Sequence, residues 1–178
     1  MREIKGRIKY IIVGYAVIAS LFHIYTGIFG TIHSILQRTV HLMFLLPLAF
    51  LLYPAHKNAP KDRIPIYDIV LAILAVIPGL YVILNFNWVI SRTWGVTPLL
   101  PIEKILGILF IILVIEATRR TVGSTLAILA TLFLVYPLVA SSLPGPLRGG
   151  SATLEEVLET MYLTTEGKRL LGGILGIE

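Results

Sequence analysis

Apolar residues in this chain gather into five long runs, at residues 10–29, 35–53, 66–84, 102–117 and 122–140. At 1.5 Å of rise per residue, about 20 apolar residues match the roughly 30 Å hydrocarbon core of a bilayer. Backbone N–H and C=O groups find no water there, so each run is predicted to be a helix. No strand-like alternation suggests a barrel. The fourth run is the shortest and is expected to borrow residues from its flanks. The fold class is therefore all-α and integral to a membrane, with about five transmembrane helices. Proline and glycine punctuate the gaps: Pro54, Pro60 and Pro65 frame the second loop, Pro98 and Pro101 close the third, and Leu143-Pro144-Gly145-Pro146 ends the last run. Pro47 and Pro78-Gly79 fall inside runs and predict kinks.

After the fifth run the pattern changes. Leu154, Val157, Leu158, Met161 and Tyr162 follow helical spacing, with Glu155, Glu156 and Glu159 on the other face. This predicts a short amphipathic helix, lying on a membrane surface or against a partner. Thr153 and Glu156 have the spacing of a capping box at its start. Residues 170–177 are apolar but too few to span.

Composition agrees with a lipid environment. Of 178 residues, 56% are hydrophobic and 14% charged, against about 25% charged in a soluble domain. Five spans leave no room for a large soluble domain. The first run follows a basic start and, at 20 residues, exceeds the roughly 7–15 of a signal-peptide core. It reads as a retained helix that also directs insertion. The net charge of +5 reflects loop placement. Arg2, Lys5, Arg7, Lys9, Lys57, Lys61, Arg63, Arg119 and Arg120 fall on one side; Arg38, Arg92 and Lys104 fall on the other. The positive-inside rule then puts the N-terminus in the cytoplasm, with the tail extracytoplasmic. Trp88 and Trp94 fit an interfacial belt on the outer side. No basic stretch is interleaved with stacking aromatics, so nucleic acid is not an expected partner. With no cysteine, disulfides and thiolate metal sites are excluded.

Ionisable groups inside spans are costly and therefore candidate sites. Glu116 and Arg120 are spaced i, i+4, with Arg119 beside them. They read as a helix-end ion pair with snorkelling arginines, or as a contact to another subunit. His33, Gln37 and His41 make a polar stripe on the second helix beside Arg38. That stripe is a hydrogen-bonded interhelical seam, or a proton relay or ligand contact. His23 shares a face with Ala16, Ala19, Gly27 and Gly30, which favours close helix packing. Gly123, Ala127 and Ala130 make a similar face on the fifth helix. His23 and His41 on neighbouring helices could ligate haem, which defines an alternative function as an electron-transfer subunit. Asp68 suits the positive end of the third helix. No nucleophile–base, His-Glu-x-x-His or phosphate-loop motif occurs, so the chain is not read as an enzyme.

Several features occur in one order: Arg38 with His41-Leu42, Tyr53-Pro54, Tyr67-Asp68, Asn85 through Arg92, Glu116-Ala117-Thr118-Arg119-Arg120, Leu143-Pro144-Gly145 and Tyr162-Leu163-Thr164-Thr165-Glu166-Gly167. Taken together they resemble the N-terminal portion of the fused permease of tripartite ATP-independent periplasmic (TRAP) transporters of the TAXI-associated type. The resemblance implies a four-helix small-subunit-like domain over 1–120 and a connecting transmembrane helix over 121–145. It implies an extracytoplasmic amphipathic tail over 146–178, at which a large transport domain would begin. The expected partners are that large permease domain or subunit, an extracytoplasmic TAXI-type solute-binding protein and the lipid bilayer. Sodium would bind the large domain, so no cofactor is expected on this chain. The implied role is a scaffold in sodium-coupled uptake of organic anions. The outer loop with Trp88, Arg92 and Trp94 would be the docking surface for the binding protein. A non-transport assembly or regulatory membrane protein is the other alternative.

Overall fold

The computed structural model describes residues 2–164, apart from 5, 31, 57, 61 and 94 and the Leu147 side chain. Among these residues the secondary structure is helical throughout: α1 (Arg7–Phe29), α2 (Ser34–Leu52), α3 (Ile66–Leu84), α4 (Phe86–Ser91), α5 (Pro101–Thr121), α6 (Ser124–Val139) and α7 (Leu154–Leu158). A 3₁₀ turn extends α6 to Ser142, and a π-type turn, Glu159–Leu163, extends α7. The five predicted runs match α1, α2, α3, α5 and α6. The short α4 has no counterpart in the hydropathy pattern. Residues 170–177 lie outside the described residues.

Four helices are long and apolar enough to cross a membrane: α1, α2, α3 and the stretch Ser124–Ser142. At 21 residues α5 has the length, but Glu103 and Lys104 near its start and Glu116, Arg119 and Arg120 near its end leave only 105–115 uncharged between them. Pro47, Pro78 and Pro137 all lie within continuous helices.

The core is the three-helix unit α2–α3–α5. Leu46, Phe50, Ala72, Ala75, Leu113 and Ala117 form its buried cluster. Alanines let the helices approach closely, and Phe50, fully buried, fills the space they leave. The tightest approach is at Gly79 on α3, where a Cβ would lie 2.2 Å from Met43 Cγ. No side chain fits there without displacing Met43.

Outside that unit the helices are added one at a time. On α1, Ile12, Ala19 and Thr26 are buried, each two turns from the next. This single stripe faces α2, with Tyr15 donating to the Met43 carbonyl (2.7 Å) and Phe22 beside Phe44. Ala19 lies on the small-residue face predicted from sequence, but nothing approaches Gly27. On α6, Ala127 and Pro137 are buried. The remaining faces of α1 and α6 are apolar and open, including Tyr10, Ile11, Phe29, Leu132 and Phe133. Apolar surface on that scale is what lipid or a partner covers.

A second buried cluster, Val82, Val89, Leu99, Leu158 and Leu163, joins the ends of α3, α4 and α5 to the tail. The predicted amphipathic helix thus folds back on its own bundle. Thr153 and Glu156 form the predicted capping box. The π-type turn changes which residues face inward. Leu163 and Glu159 are buried, while Leu154 and Met161 are exposed. Glu159 therefore does not lie on an exposed polar face, as simple helical spacing predicts.

Candidate functional site

The polar residues collect at three places: the two ends of the α2–α3–α5 unit and the α1–α2 seam.

At one end, the α2–α3 loop, the start of α3 and the end of α5 meet the N-terminal segment. Asp68, fully buried in the first turn of α3, pairs with Arg2 through Oδ2 and with Arg120 through Oδ1 (2.6 Å). Arg120 also bonds Glu116 (2.7 Å), as does Arg119 (2.7 Å). The Arg2 guanidinium donates to the carbonyls of Phe50, Leu51 and Pro60, while Arg119 donates to that of Ala55 (2.9 Å). The Arg120 guanidinium stacks 5.1 Å from the centre of the Phe50 ring. The local reason is plain. α2 ends here, so its last carbonyls need donors, and Arg2 reaches those of Phe50 and Leu51 while pairing with Asp68.

At the opposite end, Glu103 is fully buried in the first turn of α5. Its carboxylate accepts from Arg92 (2.7 Å), Trp88 Nε1 (2.9 Å), Tyr81 Oη (3.1 Å) and the Leu100 N–H (2.8 Å). Pro101 opens the helix and Glu103 reaches back to the residue before it, one half of a capping box. Arg92 continues to Glu159 in the tail (3.3 Å) and to the Thr97 carbonyl (2.8 Å). Glu159 also accepts from the Gly95 N–H (3.2 Å). One arginine thus holds two carboxylates. Nearby, Tyr162 donates to the Pro78 carbonyl (2.8 Å). Burial, with Tyr81 and Glu103 close by, pushes its pKa above the ordinary 10.0.

In the α1–α2 seam, His23 Nε2 and His41 Nδ1 lie 3.1 Å apart, and Gln37 donates to Thr26 (3.0 Å). The predicted stripe therefore holds for Gln37 and His41 as an interhelical seam. His33 instead caps α2, accepting weakly from the Ile35 N–H (3.4 Å), and stacks against Phe86. Arg38 points to the tail, donating to the Thr164 carbonyl (3.3 Å). No grouping of three or more His, Asp and Glu placed to hold a metal occurs among the described residues.

No protein-family model, curated protein or solved structure matches this chain.

The structure joins Glu116, Arg119 and Arg120 to one cluster and brings His23 to His41. Arg92 sits in the other cluster. Its side chain is 3% exposed, so it is a structural tie and is not presented to a partner. Trp94 lies outside the described residues. Sequence reasoning gave Asp68 only a helix-end role, where it pairs with two arginines, and missed Arg2, Glu103 and Glu159 as site residues. For Glu103 a signal existed, an acid two residues after a helix-opening proline. For Arg2 and Glu159 none distinguishes them from neighbouring charges.

Proposed function

We propose that the chain is a membrane component of a sodium-coupled TRAP-type transporter for organic anions. It serves as a stationary scaffold for the transport domain and as a docking site for a solute-binding protein. The observation that carries this reading is the cross-linking of both ends of α2–α3–α5 by buried ion networks. Residues on which the family resemblance rests make those ties: Asp68, Glu116, Arg119 and Arg120 at one end, Arg92 at the other. A scaffold for a moving partner must not itself deform, and buried charge clusters held by many hydrogen bonds have few alternative arrangements.

In this reading α5 is the fourth of five spans. Its charges sit at its two ends, where they are paired. The Asp68 cluster is cytoplasmic, the Glu103 cluster extracytoplasmic, and α6 is the connecting helix. The open apolar faces of α1 and α6 meet lipid and the large permease domain. With Arg92 buried, docking falls to the exposed parts of the outer loop and tail, with Val96 (76% exposed) at their centre.

The test is co-expression with a large TRAP permease and its binding protein. Stoichiometric co-purification with the permease is expected, and V96D should weaken binding-protein association. Failure of the permease to co-purify, or a Soret band in the isolated chain, would overturn the reading.

A further inference from the structure

Arg38 forms part of the walls of two adjoining spaces. On one side lies a narrow apolar cavity of about 40 Å³ between α2, α3, α5 and the tail, with Leu42, Met43, Leu46, Phe110, Met161 and Leu163 in its walls. On the other side is an open polar concavity of about 310 Å³, lined by His23, Ser34, Gln37, Arg38 and His41. No carboxylate among the described residues pairs with Arg38. Its guanidinium carries five N–H donors, and one bonds the Thr164 carbonyl.

We propose that this junction binds one anionic phospholipid, its phosphate on Arg38 in the polar concavity and one acyl chain wedged into the apolar slot. The inference does not rest on the transporter reading. Three features carry it.

The first is charge complementarity. A cation with no acidic partner among the described residues, flanked by the hydroxyl of Ser34 and two imidazoles, suits a phosphodiester. The second is depth. Arg38 is one turn inside the end of α2, at headgroup level for a helix that spans. The slot follows α2 from Ile35 to Leu46, and Arg38 to Leu46 covers about 12 Å, against about 15 Å for one leaflet of hydrocarbon. The third is shape. As it stands the slot holds on the order of three methylene-sized groups, too little for a ring system, and a chain laid along its whole length requires its walls to move aside. Met43 and Met161 line it, and their unbranched side chains can adjust to a chain.

The experiment is native mass spectrometry of the full chain, exchanged into a detergent that strips loosely held lipid and titrated with phosphatidylglycerol. One tightly retained phosphatidylglycerol per wild-type chain is expected. Retention should fall at least fivefold in R38Q and recover largely in R38K. M161W, at an exposed position of the tail, should lower it by narrowing the slot. Thermal stability of each variant in lipid-free detergent separates folding defects from lost binding. Equal retention in wild type and folded R38Q would overturn the proposal. So would equally tight binding of phosphatidylcholine, which has the same phosphate and chains but no net charge, or displacement of the lipid by glycerol phosphate at matching concentration, which has the phosphate but no chain. Capture of a second chain at this face in place of lipid would also overturn it.

Discussion

Asp68 shows most clearly how single residues act here. It holds two arginines that no water reaches, so removing it strands both. Breaking a buried pair from one side costs about 3–5 kcal/mol. We expect D68A to lose about that much in detergent unfolding, and R2A to lose less, because Arg120 would still satisfy Asp68. The same asymmetry applies at the other end. Arg92 serves both Glu103 and Glu159, so R92M should destabilise more than E103Q, which keeps a hydrogen-bonding isostere. Tyr162 gives a pH signature. Its folded pKa lies above its unfolded value, so its contribution is intact below about pH 10 and is lost as pH rises through the folded value. Absorbance titration of Y162F should lack one of the late-ionising tyrosines of the wild type, and the substitution should remove that alkaline loss of stability.

Among the elements, the α2–α3 contact and the tail differ in how they are held. The contact depends on Gly79 lacking a side chain. G79A should cost about 1–3 kcal/mol through overpacking on Met43, and M43A in the same chain should restore most of it, a coupling that a double-mutant cycle measures. The tail depends on Leu158, Leu163, Tyr162 and the Arg92–Glu159 bridge. Deleting residues 154–178 should raise amide exchange in α4 and the 92–100 loop about tenfold or more, while amides around Asp68 stay protected. The sequence showed α7 as amphipathic and capped. It did not show the π-type turn, because a shift from i+4 to i+5 bonding leaves the residue pattern unchanged.

For the whole molecule, helix direction puts the Asp68 and Glu103 clusters at opposite ends. The chain has no cysteine, so single-cysteine variants report topology cleanly. V96C should react with an impermeant maleimide added outside intact cells, and R63C only after the membrane is opened. Labelling of both from one side would contradict the proposed orientation. The chain should also stay in the membrane pellet after alkaline carbonate washing, because α1 and α6 expose apolar faces that only lipid, detergent or a partner can cover.

The sequence by itself determined the helical type of the long apolar runs, four of which form helices long and apolar enough to cross a membrane, because lipid permits no other hydrogen-bonding solution for runs of that length. It also determined the Glu116–Arg120 pair, because i, i+4 neighbours meet in any helix. Tertiary structure alone decided that Arg120 reaches Asp68, that Arg2 joins them, and that Glu103 and Glu159 share Arg92. These residues lie 52, 66 and 67 positions apart; they meet because α3 packs antiparallel to both α2 and α5, the N-terminal segment docks at one end of that unit, and the tail folds back on the other. The same packing moved Arg92 from an expected docking surface into the interior, where Glu103 and Glu159 offset the cost of taking its charge out of water.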